Sequence, residues 1–589
     1  MMNEMYLVIV DTMQIQPYVF GSNRLRENVG ASHLVVQATS EWARQTVKGV
    51  ATANNINDVQ TGTLDDDKWI ERNGLDAEVL YAGGGNTVVL FRDELGATDF
   101  INKLSRQVLT DAPNLQLVIE CSPLDWDGES LVTKVDKVFK KLAKQKSSRP
   151  ASAPLLGLSV SMMCQSTGLP VVEIAKPIPT DPTSFYPASA EIVAKLQATN
   201  NANERLKGMF SDVLTNSYQF PLDFDDMGRA SGNHSYIAVV HVDGDGMGKR
   251  IRELGRKYLQ SDANGNYTEA NRGYINALRK FSIAVEKSAK KALIETLKTL
   301  KSGIDAQGEI AHPNSNFAET DSSPAPIKLK LEDYKYTLPI RPIVFGGDDV
   351  TFVCDGRIGL PLAIEYANRF ADETEEHEDC QGRLTACAGV AIVKSHYPFA
   401  RAYSLAEELC GSAKRYKRKL SETDENWKGA CLDWHFALSG LAGNIAEIRE
   451  REYTSQGNHL FLRPVTIEAN PSNESFRSWN VVREVLKSFQ GKIKDEEWST
   501  RRNKVKALRD ALRESDEAVT HFLRMFSLTQ LPNLGSDEWN DFRDKGWRGW
   551  SGNGGGICGY FDAIEAMDWF IPLEGGKVDE NGVTSESHE

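Results

Sequence analysis

One order of elements occurs twice in this chain, and it narrows the fold more than composition does. The first copy opens with an apolar run, 6–10, that ends in Asp11. Helical spacing follows over 24–50. Two short apolar runs, 79–81 and 87–91, flank Gly83-Gly84-Gly85-Asn86 and predict a hairpin with glycines at its turn. A helix near 98–109, a strand over 115–121 and a helix from about 130 to 144 complete the copy. The second copy opens with a near-continuous apolar run, 236–242, closed by Asp243. After it come a long helix over 269–300 and a hairpin, 342–345 and 350–353, around Gly346-Gly347-Asp348-Asp349. A helix near 360–376, a strand over 384–393 and a helix over 398–419 follow. Both copies read strand, helix, hairpin, helix, strand, helix. That is the ferredoxin-like βαββαβ order, so the expected fold class is α+β, an antiparallel sheet backed by helices in each copy.

The copies differ where chemistry is concerned. Asp11 matches Asp243, whereas the Gly-Gly-Asp-Asp turn is matched by Gly84-Gly85-Asn86-Thr87, without a carboxylate. Two adjacent carboxylates at a hairpin tip repel each other unless a cation sits there, and hard carboxylate oxygens suit a divalent metal that meets phosphate. Taken alone, a Gly-Gly-Asp-Asp turn is more often only a turn, and an Asp-x-Asp only a solvated loop. Here each closes an apolar strand. If the two strands are neighbours, Asp243, Asp348 and Asp349 converge, with the Gly244 carbonyl as a further oxygen donor and Asp245 as a weaker candidate. The glycines Gly346 and Gly347, and Gly83 to Gly85 with Asn86 in the first copy, let a nucleotide approach the backbone. On the last helix, Lys414 and Arg418 are four residues apart and share a face, suited to gripping a triphosphate. The competing reading of that basic run is a solvated helix face.

Between the copies, the proline-bearing stretch 147–232 reads as a connector. Residues 303–326 read as a polar, flexible insertion, and the chain beyond 420 as mainly helical. The expected domains are 1–146, 147–232, 233–420 and 421–578, with a disordered tail over 579–589. Gly552-Asn553-Gly554-Gly555-Gly556 lacks the Gly-Lys-Ser/Thr of a phosphate loop and reads as a loop into a helix over 560–570.

The eight cysteines are scattered without a C-x-x-C pair, which predicts buried free thiols and a reducing cytoplasm. No apolar stretch is long enough to cross a bilayer, and the N-terminus lacks the marks of a signal peptide. A net charge of −14 argues against strong non-specific binding to nucleic acid.

The segment Ala406-Glu407-Glu408-Leu409-Cys410-Gly411-Ser412-Ala413-Lys414 resembles the late helix of GGDEF-type palm domains, where a Lys and a basic residue four later bind phosphates. The guanine-reading residues of diguanylate cyclases are missing after Asp243-Gly244-Asp245-Gly246-Met247-Gly248. Together with Gly346-Gly347-Asp348-Asp349 and Thr385-Ala386-Cys387-Ala388-Gly389-Val390-Ala391, that segment is similar instead to the second palm of the large polymerase/cyclase subunit of type III CRISPR effectors. The opening run Gln14-Ile15-Gln16-Pro17-Tyr18-Val19-Phe20 and the glycine-rich Tyr81 to Asn86 resemble that family's first palm. The resemblance implies two palms as an intrachain pseudo-dimer, the first degenerate, and synthesis of cyclic oligoadenylate from ATP. It implies Mg²⁺ or Mn²⁺ on Asp243, Gly244, Asp348 and Asp349, and an acceptor ATP near Gly83 to Asn86. Guide-RNA effector subunits or another activator, and a downstream effector that binds the product, are the implied partners, with no membrane. Two departures stand out. The chain has no His-Asp dipeptide of the family's nuclease domain, so no DNA cleavage is implied. Cys164-Gln165-Ser166-Thr167 has a Thr where a zinc knuckle has its second Cys, so no zinc is expected. Two alternatives stay open: a cyclase or polymerase with another base or product, and a non-catalytic nucleotide-binding scaffold.

Overall fold

The computed structural model describes residues 4–72, 74–148, 160–227, 235–312, 325–425, 427–437, 443–468, 470–472, 474–490, 497–498 and 501–573. The expected tail 579–589 lies outside them, as does 313–324 of the expected insertion.

The fold is α+β, and both copies of the predicted plan form sheets of the same strand order. In the first, Glu4–Met13 lies between Asn86–Phe91 and Gln116–Asp125, with Ala77–Gly83 outside Asn86–Phe91, all antiparallel. In the second, Tyr236–Gly244 lies between Asp349–Asp355 and Ala386–Lys394, with Ile340–Gly346 outside, again antiparallel. Its central strand reads as a continuous apolar run because both faces are covered: Ala238, Val239, Val240 and Val242 are fully buried. Thr268–Ser302 and Gly359–Glu376 cover one face. Phe399–Thr423 and the first copy's helix Leu25–Val36 cover the other.

The sheet does not stop at residue 420. Cys431–Ala437 adds a parallel strand beside Ala386–Lys394, and Val465–Thr466 an antiparallel one. The expected boundary at 420 therefore cuts through the second sheet. Asp433 and His435 break the apolar pattern of that strand, yet both are buried, Asp433 against the Arg449 guanidinium. Beyond it, Ile445–Glu452, Trp479–Phe489, Arg502–Glu514 and Asp516–Met525 give the helical part, with a small sheet of two-residue strands. The glycine loop Gly552 to Gly556 leads into a helix over Phe561–Ala566, shorter than the expected 560–570.

The two halves clasp each other reciprocally. Both outer hairpin strands carry a bulge, which leaves Leu80 unpaired in one and Ile343 in the other. Each freed carbonyl is met by the first long helix of the opposite half. Ser32 Oγ donates to the Ile343 carbonyl at 2.5 Å, and Arg279 Nε to the Leu80 carbonyl at 3.2 Å. Arg272 and Arg279 also hold the fully buried Glu78 at 2.7 Å each. One apolar core joins Val8, Val10 and Val35 of the first half to Val239, Val353 and Ala391 of the second. In the connector, Ala190–Met209 packs across Leu25–Val36 so closely that a Cβ on Gly30 would lie 1.7 Å from the Lys195 carbonyl oxygen.

Candidate active site

The strand Tyr236–Gly244 places Asp243 directly opposite Asp349, and the Gly244 N–H donates to the Asp348 carbonyl at 3.0 Å. The hairpin tip turns at Gly347, whose φ of 65° glycine adopts without cost. Gly244 is required by close approach: a Cβ there would stand 2.5 Å from Asp348 Cβ. Around Gly346 and Gly347 the space is open, with nothing within 4 Å of an added Cβ. So Asp243, Asp348 and Asp349 meet at one end of the sheet.

Crowding of like charge is visible in the acids. Burial and then the Asp243 charge push Asp348 up to about 6 and Asp349 up to about 7. Asp349 Oδ1 is enclosed without a hydrogen-bond partner, although nearly half of that side chain is open to solvent. Lys414 supplies the cation: its Nζ lies 2.5 Å from Asp243 Oδ2 and 3.0 Å from the Gly244 carbonyl.

Arg418, expected beside Lys414, is exposed one turn on, with its Nε on the Lys414 carbonyl at 3.4 Å. Lys417 occupies the inner face instead. It reaches Asp245 Oδ2 at 2.9 Å and also bonds Thr385 Oγ1. The Asp245 N–H donates to the Thr385 carbonyl at 2.9 Å. Asp245 is thus a strut of the strand end, tied to Lys417 and Thr385. Lys417 falls on the buried spacing Cys410, Ala413, Leu420, the signal that marks a lysine as inward-facing. His241, Glu407 and Gln16 also escaped the sequence reading. His241 Nδ1 lies 3.0 Å from Thr351 Oγ1 and 3.4 Å from Asp349 Oδ1. Gln16 of the first half donates to Glu407 at 2.5 Å. Glu407 and Lys414 are seven residues apart, two turns along one helix face.

The first half repeats this geometry with a one-residue correction. Gly83 pairs with Asn86 as Gly346 pairs with Asp349, so Gly85 and Asn86, rather than Asn86 and Thr87, stand at the positions of Asp348 and Asp349. Asp11 faces Asn86 as Asp243 faces Asp349. The Thr12 N–H donates to the Gly85 carbonyl at 3.3 Å, as Gly244 does to Asp348. Gly84 and Gly85 both have positive φ, 58° and 85°, so this turn differs from that of the second half, where Gly347 has positive φ and Gly346 does not.

Among the described residues, no three His, Cys, Asp or Glu side chains are pre-arranged around a metal position. The donor set of Asp243, Asp348, Asp349 and the Gly244 carbonyl nevertheless fits a hard divalent cation, since all donors are oxygens and Asp349 Oδ1 lacks a partner. At the degenerate knuckle, Cys164 is buried and Thr167 Oγ1 lies 3.0 Å from Ser189 Oγ. Among the described residues, no helix is long and apolar enough to cross a membrane.

Residues 236–421 match the family model described as Cas10/Cmr2, second palm domain. No curated protein matches the chain in sequence. Similar solved structures include a Csm1–Csm4 cassette in complex with cA4, at 12% identity and TM-score 0.45. Csm1 of T. onnurineus is similar at 12% and 0.45, and a Csm1–Csm4 cassette in complex with one ATP at 11% and 0.46. Each match covers 96% of this chain and 70% of the other. By that match, residues 236–421 form a Cas10/Cmr2-type second palm domain.

Proposed function

We propose that this chain is a metal-dependent nucleotidyl cyclase that joins ATP into cyclic oligoadenylate with release of pyrophosphate. The observation that carries the reading is the convergence of Asp243, Asp348 and Asp349 with Lys414 inside the matched palm domain. Two divalent ions, when bound, would neutralise the triphosphate and lower the pKa of the attacking 3′-hydroxyl. Asp243, Asp348, Asp349 and the Gly244 carbonyl are the residues that would hold them.

The chain's own residues then do the positioning. Lys414 leaves Asp243 to bind the triphosphate of the donor nucleotide. Gly346 and Gly347 admit that nucleotide to the backbone. Lys417 and Thr385 fix the strand end, so that the Gly244 carbonyl and Asp243 stay aimed at the site. The first palm binds the acceptor at Gly83 to Asn86, and the reciprocal clasp sets the distance between the two nucleotides. A new bond forms between the acceptor 3′-oxygen and the donor α-phosphorus, the bond to pyrophosphate breaks, and the proton passes to solvent. Adenine as the base follows from the family, as do activation by guide-RNA effector subunits and a separate effector that reads the product.

The test is incubation of the full chain with Mg²⁺ or Mn²⁺ and each nucleoside triphosphate, with products identified by mass spectrometry. A cyclic oligoadenylate absent from the Asp348→Ala/Asp349→Ala variant supports the reading. Cyclic products of other bases would overturn the adenylate assignment and keep the chemistry. Bound metal-ATP with no product under any activator would leave a scaffold.

A further inference from the structure

The first palm has lost two carboxylates but kept an ion pair. Lys146 Nζ lies 2.5 Å from Asp11 Oδ2, the same distance as Lys414 Nζ to Asp243 Oδ2 in the second palm. Each lysine sits on the helix that follows the fourth strand of its palm, Leu131–Ser148 in one and Phe399–Thr423 in the other. Each aspartate lies near the end of its palm's first strand, Asp11 two residues before Met13 and Asp243 one before Gly244, and faces the last residue of the hairpin turn. Lys146 is therefore the structural counterpart of Lys414.

The formal charges around the two turns differ. In the second palm, three carboxylates meet one lysine, and a triphosphate brought there adds negative charge to a net negative site. Divalent cations are needed before it can bind. In the first palm, Asp11 and Lys146 cancel, and Gly85 and Asn86 bring no charge. A triphosphate there meets a lysine and backbone N–H groups at a turn of two positive-φ glycines, Gly84 and Gly85. The Lys146 side chain keeps about a third of its surface open, at 32% exposed, so its ammonium is within reach of a ligand.

We infer that the first palm holds a nucleoside triphosphate without a divalent metal, with Lys146 as its phosphate-binding cation. The inference rests on the two-nucleotide reading given above and goes further: it assigns a residue and a metal requirement to each half. One nucleotide is bound before metal arrives, and metal is needed only for the second.

The experiment is calorimetric titration of the full chain with α,β-methylene-ATP, which the site cannot turn over, first in EDTA and then in excess Mg²⁺. One equivalent is expected in EDTA and two in Mg²⁺. Lys146→Met should weaken the EDTA-resistant site at least about tenfold, the worth of a hydrogen bond to a charged group, while Lys146→Arg restores most of it. Lys414→Met should leave the EDTA-resistant site within about twofold and remove the Mg²⁺-dependent one. No binding in EDTA overturns the inference, as does EDTA-resistant binding that survives Lys146→Met or is lost with Lys414→Met. Product formation by the unaltered chain separates the two levels. Cyclic product without an EDTA-resistant site defeats this inference alone, and absence of both defeats the cyclase reading as well.

Discussion

Asp243 and Asp349 stand directly opposite each other across two antiparallel strands, and Lys414 pairs with the Asp243 carboxylate and the Gly244 carbonyl. Asp349 therefore faces a like charge with one oxygen that makes no hydrogen bond and has only the His241 ring 3.4 Å away. Replacing Asp349 by Asn keeps the shape and removes that repulsion. The metal-free protein should melt at a higher temperature, while nucleotidyl transfer falls by about a thousandfold, the worth of several kcal/mol of charge stabilisation. Paired melting curves and turnover assays check both signs. A variant that is both less stable and fully active would contradict the placement of Asp349.

Titration gives a second expectation. Asp348 and Asp349 rise from the ordinary 3.8 to about 6 and about 7, through burial first and then the Asp243 charge. The folded metal-free chain thus keeps protons that the unfolded chain has released. Its stability from these groups falls as pH rises from about 4 to 7. Divalent binding needs both groups ionised, so the rise in melting temperature caused by Mg²⁺ should be larger near pH 8 than near pH 6. Equal shifts at the two pH values would count against these carboxylates as the metal donors.

Gly244→Ala tests the close approach at the strand end. The added Cβ would meet Asp348 Cβ at 2.5 Å, and the turn has to move. Overpacking should cost about 1–3 kcal/mol of stability. Displacement of Asp348 by roughly 1 Å should cost about a hundredfold in turnover. Denaturant unfolding beside steady-state kinetics separates the two, and activity within twofold of the unaltered chain would show that the Gly244–Asp348 contact is not needed.

Arg272→Met tests the clasp between the palms. Glu78 is fully buried and is shared by Arg272 and Arg279, so loss of one arginine leaves a carboxylate underpaired. A loss of about 3–5 kcal/mol is expected in denaturant unfolding, with a partial return when Glu78→Gln is added. If the single variant is as stable as the parent, the network contributes nothing to holding the palms together.

Much of this was legible in the sequence, for identifiable reasons. Strand Tyr236–Gly244 is covered on both faces, so its apolar run is unbroken and its end at Asp243 is sharp. The two hairpins were marked by their glycines. The register of the first turn was not, because Gly83, Gly84 and Gly85 offer two equivalent glycine pairs and only the Gly83–Asn86 pairing chooses between them. Strand Cys431–Ala437 hid behind Asp433, a buried acid whose partner Arg449 is sixteen residues away. Lys146 was lost among Lys140, Lys141 and Lys144 on a basic helix, and only the fold brings it to Asp11. Arg418 shared a face with Lys414 by spacing, but the sheet lies on the side of Lys417.

The central claim is cyclisation by this one chain, and pyrophosphate stoichiometry tests it most directly. Radiolabelled ATP would be converted by the full chain with Mn²⁺ and any activating partner, and pyrophosphate counted against adenylate incorporated. A closed ring releases one pyrophosphate for every adenylate and leaves no terminal triphosphate, and the Asp348→Ala/Asp349→Ala variant should release none. A product that keeps its 5′-triphosphate, with one pyrophosphate fewer than adenylates, or release that persists in the variant, would contradict the account.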